Sequence, residues 1–324
     1  MLVSIIAGGA GFVGCNLLPV LAREDRHLIV LDNLCRGRER YLDAAHVVAP
    51  GRVHFFNVDL SDSGETNNAF DESSKFGIVD EVWHLAANSD IPAGVMDANV
   101  DLRDTFMTTF SLLDAMKKHE VPILHFASSS AIYGDLGGVQ LHEAIGPLMP
   151  ISNYGAMKLA SEALISAAAE SYLSRVNLFR FPNVVGAPAT HGVILDFIKK
   201  LKMDGNRLDV LGNGTQQKSY LHVSDLVQAM LHIRGMRDLP KVFPVNIGPV
   251  DDGVTVRFIA ESVIERVSRS ARVFFGIGNK GWIGDVPKFN YSIQRIQDTG
   301  WSPLRNSADA VVQAIDEIAK QEGF

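Results

Sequence analysis

Leu2-Val-Ser-Ile-Ile-Ala7-Gly8-Gly-Ala-Gly11-Phe-Val-Gly14 is an apolar run, a glycine turn and the opening of an apolar helical pattern that continues to about Ala22. A strand that passes into a helix through such a turn is the context of a dinucleotide-binding fingerprint. Gly8 and Gly11 permit the tight turn and the close approach of backbone to a pyrophosphate, and Gly14 lets the helix pack on the strand. Phe12 and Val13 begin the helix, whose N-terminus offers partial positive charge to the phosphates. Further short apolar runs at 27–31, 53–56, 79–85, 121–126 and 175–180 alternate with helical or turn-like stretches. That alternation predicts an α/β fold with a doubly wound parallel sheet.

The strand ends carry the next signals. Asp32 closes the second apolar run, followed by Asn33, where a carboxylate would bond ribose hydroxyls and repel a 2′-phosphate. NAD is therefore expected over NADP, although Arg36 lies nearby. Asp59 and Leu60 follow the third run, with Asp59 placed to face an adenine or simply to make a turn. His84-Leu85-Ala86-Ala87 ends the fourth with small residues where bulk would collide with a cofactor. His84 itself reads equally as a contact or as a core histidine.

Tyr154 and Lys158, in Asn153-Tyr-Gly-Ala-Met-Lys158, put a phenol and an ammonium on one face of a helix. A phenol of pKa about 10 is a poor base at neutral pH. A nearby cation favours the phenolate, so the hydroxyl could take and return a proton. About twenty-five residues upstream, Ala127-Ser-Ser-Ser130-Ala-Ile-Tyr133-Gly ends the fifth run, where ligands bind in open α/β sheets.

Together the Gly8–Gly14 turn, Asp32-Asn-Leu, His84-Leu-Ala-Ala, the serine run before Tyr133-Gly134 and Tyr154-x-x-x-Lys158 resemble the extended short-chain dehydrogenase/reductase family. The likeness is to its NAD-dependent nucleotide-sugar epimerase/dehydratase branch. It continues through Arg180-Phe181-Pro-Asn183, Gly212-Asn-Gly214, Ser219-Tyr-Leu-His222-Val-Ser-Asp225 and Gly300-Trp301. The resemblance implies a Rossmann domain over 1–180 and a smaller C-terminal substrate-binding lobe over 181–324, with segments around 218–247 returning to the first domain. It implies Ser129, Tyr154 and Lys158 as the catalytic set, with Phe181 beside the cofactor. It also implies a nucleotide-diphospho-sugar substrate, met by Ser129, Ser130, Tyr154 and Asn183. In the branch's dehydratases an Asp-Glu pair follows the catalytic Ser/Thr. Here Ser130 and Ala131 stand there, and neither can do that acid–base work. A 4-epimerase is the expected activity, with a sugar 4-dehydrogenase or 4-keto reductase as the alternative and a non-catalytic binding protein as a remoter one.

The sugar site departs from the epimerase pattern. Lys218 stands in place of one usual arginine, offering a point charge where a bidentate fork is usual. Trp282 stands in place of the other, in Lys280-Gly-Trp-Ile-Gly284-Asp285, and Lys280 could supply the second charge. His191 and Val193, at the mouth of the following helix, are further candidates for substrate contact.

A composition of 47% hydrophobic and 21% charged residues over 324 positions suits a chain able to bury a large core. The net charge of -7 argues against a general nucleic-acid binder. Two cysteines, Cys15 and Cys35, build neither a disulfide framework nor a zinc spacing. The start of the chain lacks a signal-peptide pattern, and no apolar run approaches the ~18 residues of a membrane span. A cytoplasmic protein without metal or membrane partner is expected. The long helical patterns at 95–118 and 152–172, with Phe106, Phe110, Leu113, Leu159, Leu164 and Ile165, correspond to the helices that the family pairs in its homodimers.

Overall fold

The structure, a computed structural model, describes residues 1–278 and 290–324. The chain divides into two compact units, one made of Met1–Gly134, Pro147–Arg180 and Met230–Val245, the other of Asp135–Gly146, Phe181–Ala229 and Asn246–Phe324. The segment that rejoins the first unit is thus 230–245, shorter than the 218–247 expected, because Tyr220–His222 pairs with Asn183–Val185 in the second unit. Asp135–Gly146 also belongs there, since Gln140–Leu141 pairs with Asn290–Tyr291.

The first unit is built on a seven-stranded sheet. Its strands are β1 (Leu2–Ala7), β2 (Arg26–Asp32), β3 (Val53–Asn57), β4 (Ile78–His84), β5 (Ile123–Ala127), β6 (Arg175–Arg180) and β7 (Val242–Asn246). They run in the order β7-β6-β5-β4-β1-β2-β3. The pairings β1 with β2 and β4, β2 with β3, β4 with β5, and β5 with β6 are all parallel. This is the doubly wound Rossmann order, and its direction reverses between β1 and β4, where the carboxyl ends of the strands form a ligand crevice. β7 went unread in the sequence because Pro244 interrupts its apolar run; at a sheet edge a proline costs the ladder little.

One face of the sheet buries Val3, Ile5, Ile29, Leu31, Val82, Leu124 and Phe126 in a cluster with Phe70, Leu112, Met116 and Ile165 from the covering helices. Full burial of such a side chain contributes about 1.5–3 kcal/mol. Charged groups within the strands are paired. The Arg26 guanidinium bonds Ser4 and Glu81 and reaches Asp80 at 2.9 Å, while Arg234 Nε donates to Glu81 at 2.8 Å. Burial alone would raise the Glu81 carboxyl. The hydrogen bond and charge of His125, with Arg234 and Arg26, instead hold it well below the usual carboxylate range.

The pattern at 95–118 does not form one helix. Ile91–Met96, Ala98–Asp101, a π-helical turn at Leu102–Met107 and Thr108–Lys118 follow one another. Asp97 makes the break: its backbone is extended (φ −141°) and its carboxylate accepts from Asn99 N at 3.0 Å, starting a new helix rather than continuing the old one. Asn153–Ser171, by contrast, is continuous, N-capped by Ser152 Oγ on Gly155 N at 3.1 Å.

In the second unit, helices Val193–Met203, Val256–Val267 and Ser307–Glu322 enclose Phe197, Ile198, Leu201, Ile259, Val263, Val311 and Ile315. Beside them Arg207–Val210 and Arg272–Phe275 form a parallel pair. Among the described residues no helix is long and apolar enough to cross a membrane.

Candidate active site

The glycine turn lies at the reversal point of the sheet. Gly8 adopts φ +79°, and a Cβ there would lie 2.6 Å from Ala86 N at the end of β4. A Cβ on Gly14 would lie 2.5 Å from Gly9 Cα, so the helix can approach the turn only without a side chain. Gly11 is the N-cap of helix Phe12–Leu21, with no side-chain cap and no acid in the first turn. Phe12 and Val13 follow it, half-buried. That leaves the positive end of the helix open to an anion.

At the end of β2, Asp32 accepts from Ala10 N at 3.0 Å and Leu34 N at 2.9 Å. Burial pushes its carboxyl up, and these backbone bonds pull it back. Arg36 donates to Asp90 at 2.7 Å, so its charge is engaged by the loop after β4. The Asn33 side chain turns to Cys35 N at 3.1 Å. Asp59 accepts from Ser61 N at 3.0 Å and Ser61 Oγ at 2.7 Å, which closes its own turn, and Leu60 packs into the core. Leu85, Ala86 and Ala87 are half-buried. His84 is buried, with Nε2 2.9 Å from Thr109 Oγ1 and, among the described residues, no partner on Nδ1. Burial, and then the charge of Lys158, lower its pKa well below the ordinary value, so it is a neutral core residue. A cradle that any Cβ would fill, a free helix N-terminus and a carboxylate at the second strand end fit NAD.

Ser129, just past β5, caps the short turn Ser130–Tyr133, its Oγ accepting from Ala131 N at 3.1 Å. Tyr154 stands in the first turn of Asn153–Ser171, hydrogen-bonded to the Ser129 side chain. One turn on, buried Lys158 donates to Ala127 O at 2.6 Å, with Nζ 4.7 Å from the Phe126 ring centre and 5.8 Å from that of Tyr154. Desolvation pushes the Tyr154 phenol up to about 12; its bond with Ser129 works downward, and the charge of Asp101 upward. Burial brings Lys158 down to about 7, against the pull of Glu162 and Asp101. The lysine thus exchanges its proton near neutrality, beside a phenol that can pass one to or from a ligand.

Behind this pair lies a set of residues the sequence reading missed. Glu162 accepts from Ser128 Oγ at 2.5 Å, Arg180 Nε at 3.0 Å and Arg180 Nη2 at 2.6 Å, and Arg180 Nη1 donates to Tyr133 Oη at 3.0 Å. All four residues are buried. Tyr154, Lys158 and Glu162 are spaced four apart, so the helical face that gave the first two also carried the third. Ser130 is buried in the turn. Asn153 Nδ2 donates to Gly94 O at 2.8 Å, tying the start of the helix to Ile91–Met96.

The remaining candidates belong to the second unit. Asn183 is exposed at the head of a short strand and pairs with Tyr220, which brings it near Lys218. Lys218 itself pairs with Val254. Gly192 (φ +107°) caps the helix that begins at Val193, with His191 exposed beside it. Phe181 is half-buried. Lys280 and Trp282 lie outside the described residues.

Residues 4–248 match the model of the NAD dependent epimerase/dehydratase family. The chain is 25% identical over 317 residues to a protein of Methanocaldococcus jannaschii named as a putative UDP-glucose 4-epimerase, covering 96% of this chain and 97% of that one. It also resembles a crystal structure of UDP-galactose 4-epimerase, at 31% identity, TM-score 0.80 and 99% of both chains. The Thermus thermophilus UDP-glucose 4-epimerase in complex with NAD superposes with TM-score 0.82 at 27% identity, over 98% of this chain and 99% of the other. With the glycine cradle, Asp32 and the Ser129–Tyr154–Lys158 cluster already in place on a Rossmann sheet, the match over three quarters of its length makes this chain a member of the NAD dependent epimerase/dehydratase family.

Proposed function

We propose that the protein is an NAD-dependent 4-epimerase of nucleotide-diphospho-sugars, and that a UDP-hexose is its substrate. The observation that carries the reading is Tyr154, bonded to Ser129 and one helical turn from a buried lysine, with no carboxylate at 130 or 131. Bound in the Gly8–Gly14 cradle, NAD supplies a hydride acceptor that can return the hydride to the same carbon. Tyr154, as its phenolate, takes the C4 hydroxyl proton and Ser129 bonds the same oxygen. Lys158, held on the Ala127 carbonyl, favours the phenolate when it carries its charge. Ser130 and Ala131 provide no acid to expel a C6 hydroxyl, so the keto-sugar turns over and is reduced from its other face. Asn183 and Lys218 are assigned to the diphosphate. The UDP base is supported by the names of the relatives described above.

The test is a UDP-hexose deuterated at C4. The product expected is its C4 epimer, with the label retained and no net rise in NADH absorbance. A keto-sugar with stoichiometric NADH would show a dehydrogenase, and a 4-keto-6-deoxy product would show a dehydratase.

A homodimer is also proposed. Phe110 and Leu102 are exposed and Phe106 and Leu159 half-buried on the helices concerned, whereas Leu113 and Ile165 lie in the sheet's own core. Light scattering at micromolar concentration is expected to give twice the chain mass; a monomer would remove the proposal.

A further inference from the structure

Asp101 is a buried carboxylate that the reaction described above does not use. It is fully inaccessible, at the last position of Ala98–Asp101, where the chain enters the π-helical turn Leu102–Met107. Its Oδ1 accepts from Asn88 Nδ2 at 2.8 Å, and among the described residues its Oδ2 has no hydrogen-bond partner. The carboxylate lies against Gly94: a Cβ on that glycine would sit 1.8 Å from Oδ2. Gly94 is also the residue whose carbonyl receives Asn153, the neighbour of Tyr154. Both Ala98–Asp101 and the π-helical turn pack on the catalytic helix. Leaving a carboxylate dry and half-satisfied is costly unless a cation answers it.

The charged surroundings name that cation. On its own segment the nearest acid is Asp104, whose charge is met by Arg103 at 2.6 Å. From the catalytic helix come Lys158 and Glu162, and the latter is neutralised by Arg180 at 2.6 Å. From the end of β4 comes His84, which is neutral. In the loop beyond, Asp90 is bridged to Arg36 at 2.7 Å. Lys158 has no ion pair of its own among the described residues, only the Ala127 carbonyl.

We propose that Asp101 is a positioning residue for the Tyr154–Lys158 pair, its sealed carboxylate acting as a counter-charge that favours the Lys158 ammonium. The role rests on the reading of Tyr154 and Lys158 as the proton-handling pair. Asp101 and Glu162 both raise the lysine's proton affinity against its burial, but Glu162 is already occupied by Arg180 and Ser128. Removing the Asp101 charge should therefore make Lys158 lose its proton at lower pH. The charge also raises the phenol's pKa, so it opposes the phenolate while it favours the ammonium.

Asp101→Asn tests this in the NAD-loaded enzyme, since the amide keeps the shape and the acceptor for Asn88. Titration of Lys158 is read by NMR of 13Cε-labelled lysine, assigned by its absence in Lys158→Met. The alkaline limb of the pH–rate profile is read separately. Both midpoints are expected to fall by on the order of one pH unit. Gly94→Ala, which drives the carboxylate from its place, is expected to move them the same way, and decides the question if Asp101→Asn does not fold. A loss of rate with both midpoints unmoved would overturn the proposal and leave Asp101 a packing residue. Because the titration needs no sugar, a fall in the Lys158 midpoint without movement of the alkaline limb would support the Asp101–Lys158 link while overturning the assignment of Lys158 to the reaction.

Discussion

Tyr154→Phe leaves a folded protein that still binds NAD and turns over at least ~10²–10⁴-fold more slowly, the usual scale for a lost proton-transfer partner. The ring remains, so its packing beside Lys158 is preserved and only the hydroxyl is removed. That hydroxyl is the group bonded to Ser129, and the two nearest phenols in sequence are engaged elsewhere: Tyr172 donates to Leu113 O at 2.8 Å, and Tyr133 is fully buried with Arg180 on its oxygen at 3.0 Å. Calorimetry of NAD binding separates a damaged cofactor site from lost chemistry. Near wild-type turnover with normal NAD affinity would move the proton acceptor elsewhere and remove the basis of the epimerase reading.

The parts of this site that were legible in the sequence are those where sterics or period leave one choice. Gly8 and Gly14 announce themselves because no side chain fits against Ala86 or Gly9. Tyr154 and Lys158 announce themselves through the helical repeat. Six of the seven strands of the sheet were readable as apolar runs, since a parallel sheet covered on both faces has no polar side to alternate. What could not be read depends on contacts between distant segments. Asp101 looks like a surface residue in Asn99-Val-Asp-Leu-Arg, and only the folded chain shows it closed over by Gly94. The π-helical turn beside it was hidden inside an apolar pattern that a straight helix would equally satisfy, and the break at Asp97 is a matter of one local hydrogen bond. Arg180 was quoted only as part of a motif; its partner Glu162 is 18 residues earlier on a different element. Asp59 and Arg36 show the converse. Their types suited a cofactor role, but their side chains are engaged with Ser61 and Asp90.

Glu162→Ala is the substitution expected to cost the most stability, about 3–5 kcal/mol. Glu162 and Arg180 are 6% and 8% exposed at their side chains, and the carboxylate takes two of the three guanidinium nitrogens and the Ser128 hydroxyl. Removing it leaves an interior guanidinium without its carboxylate, and a buried arginine cannot shed its charge as a lysine can. Burial works against that charge, but the Glu162 hydrogen bond and charge outweigh it and push the arginine's pKa up; this is the coupling that the alanine would forfeit. The loss should appear as a lower urea midpoint at unchanged slope. Glu162→Leu combined with Arg180→Met should recover much of it, because replacing both members of a buried pair by apolar groups spares the desolvation that breaking one member exposes. A single-variant loss below about 1 kcal/mol would mean that water or a shifted Arg180 satisfies the charge, and that the pair is not what fixes the helix bearing Tyr154 to the end of β6.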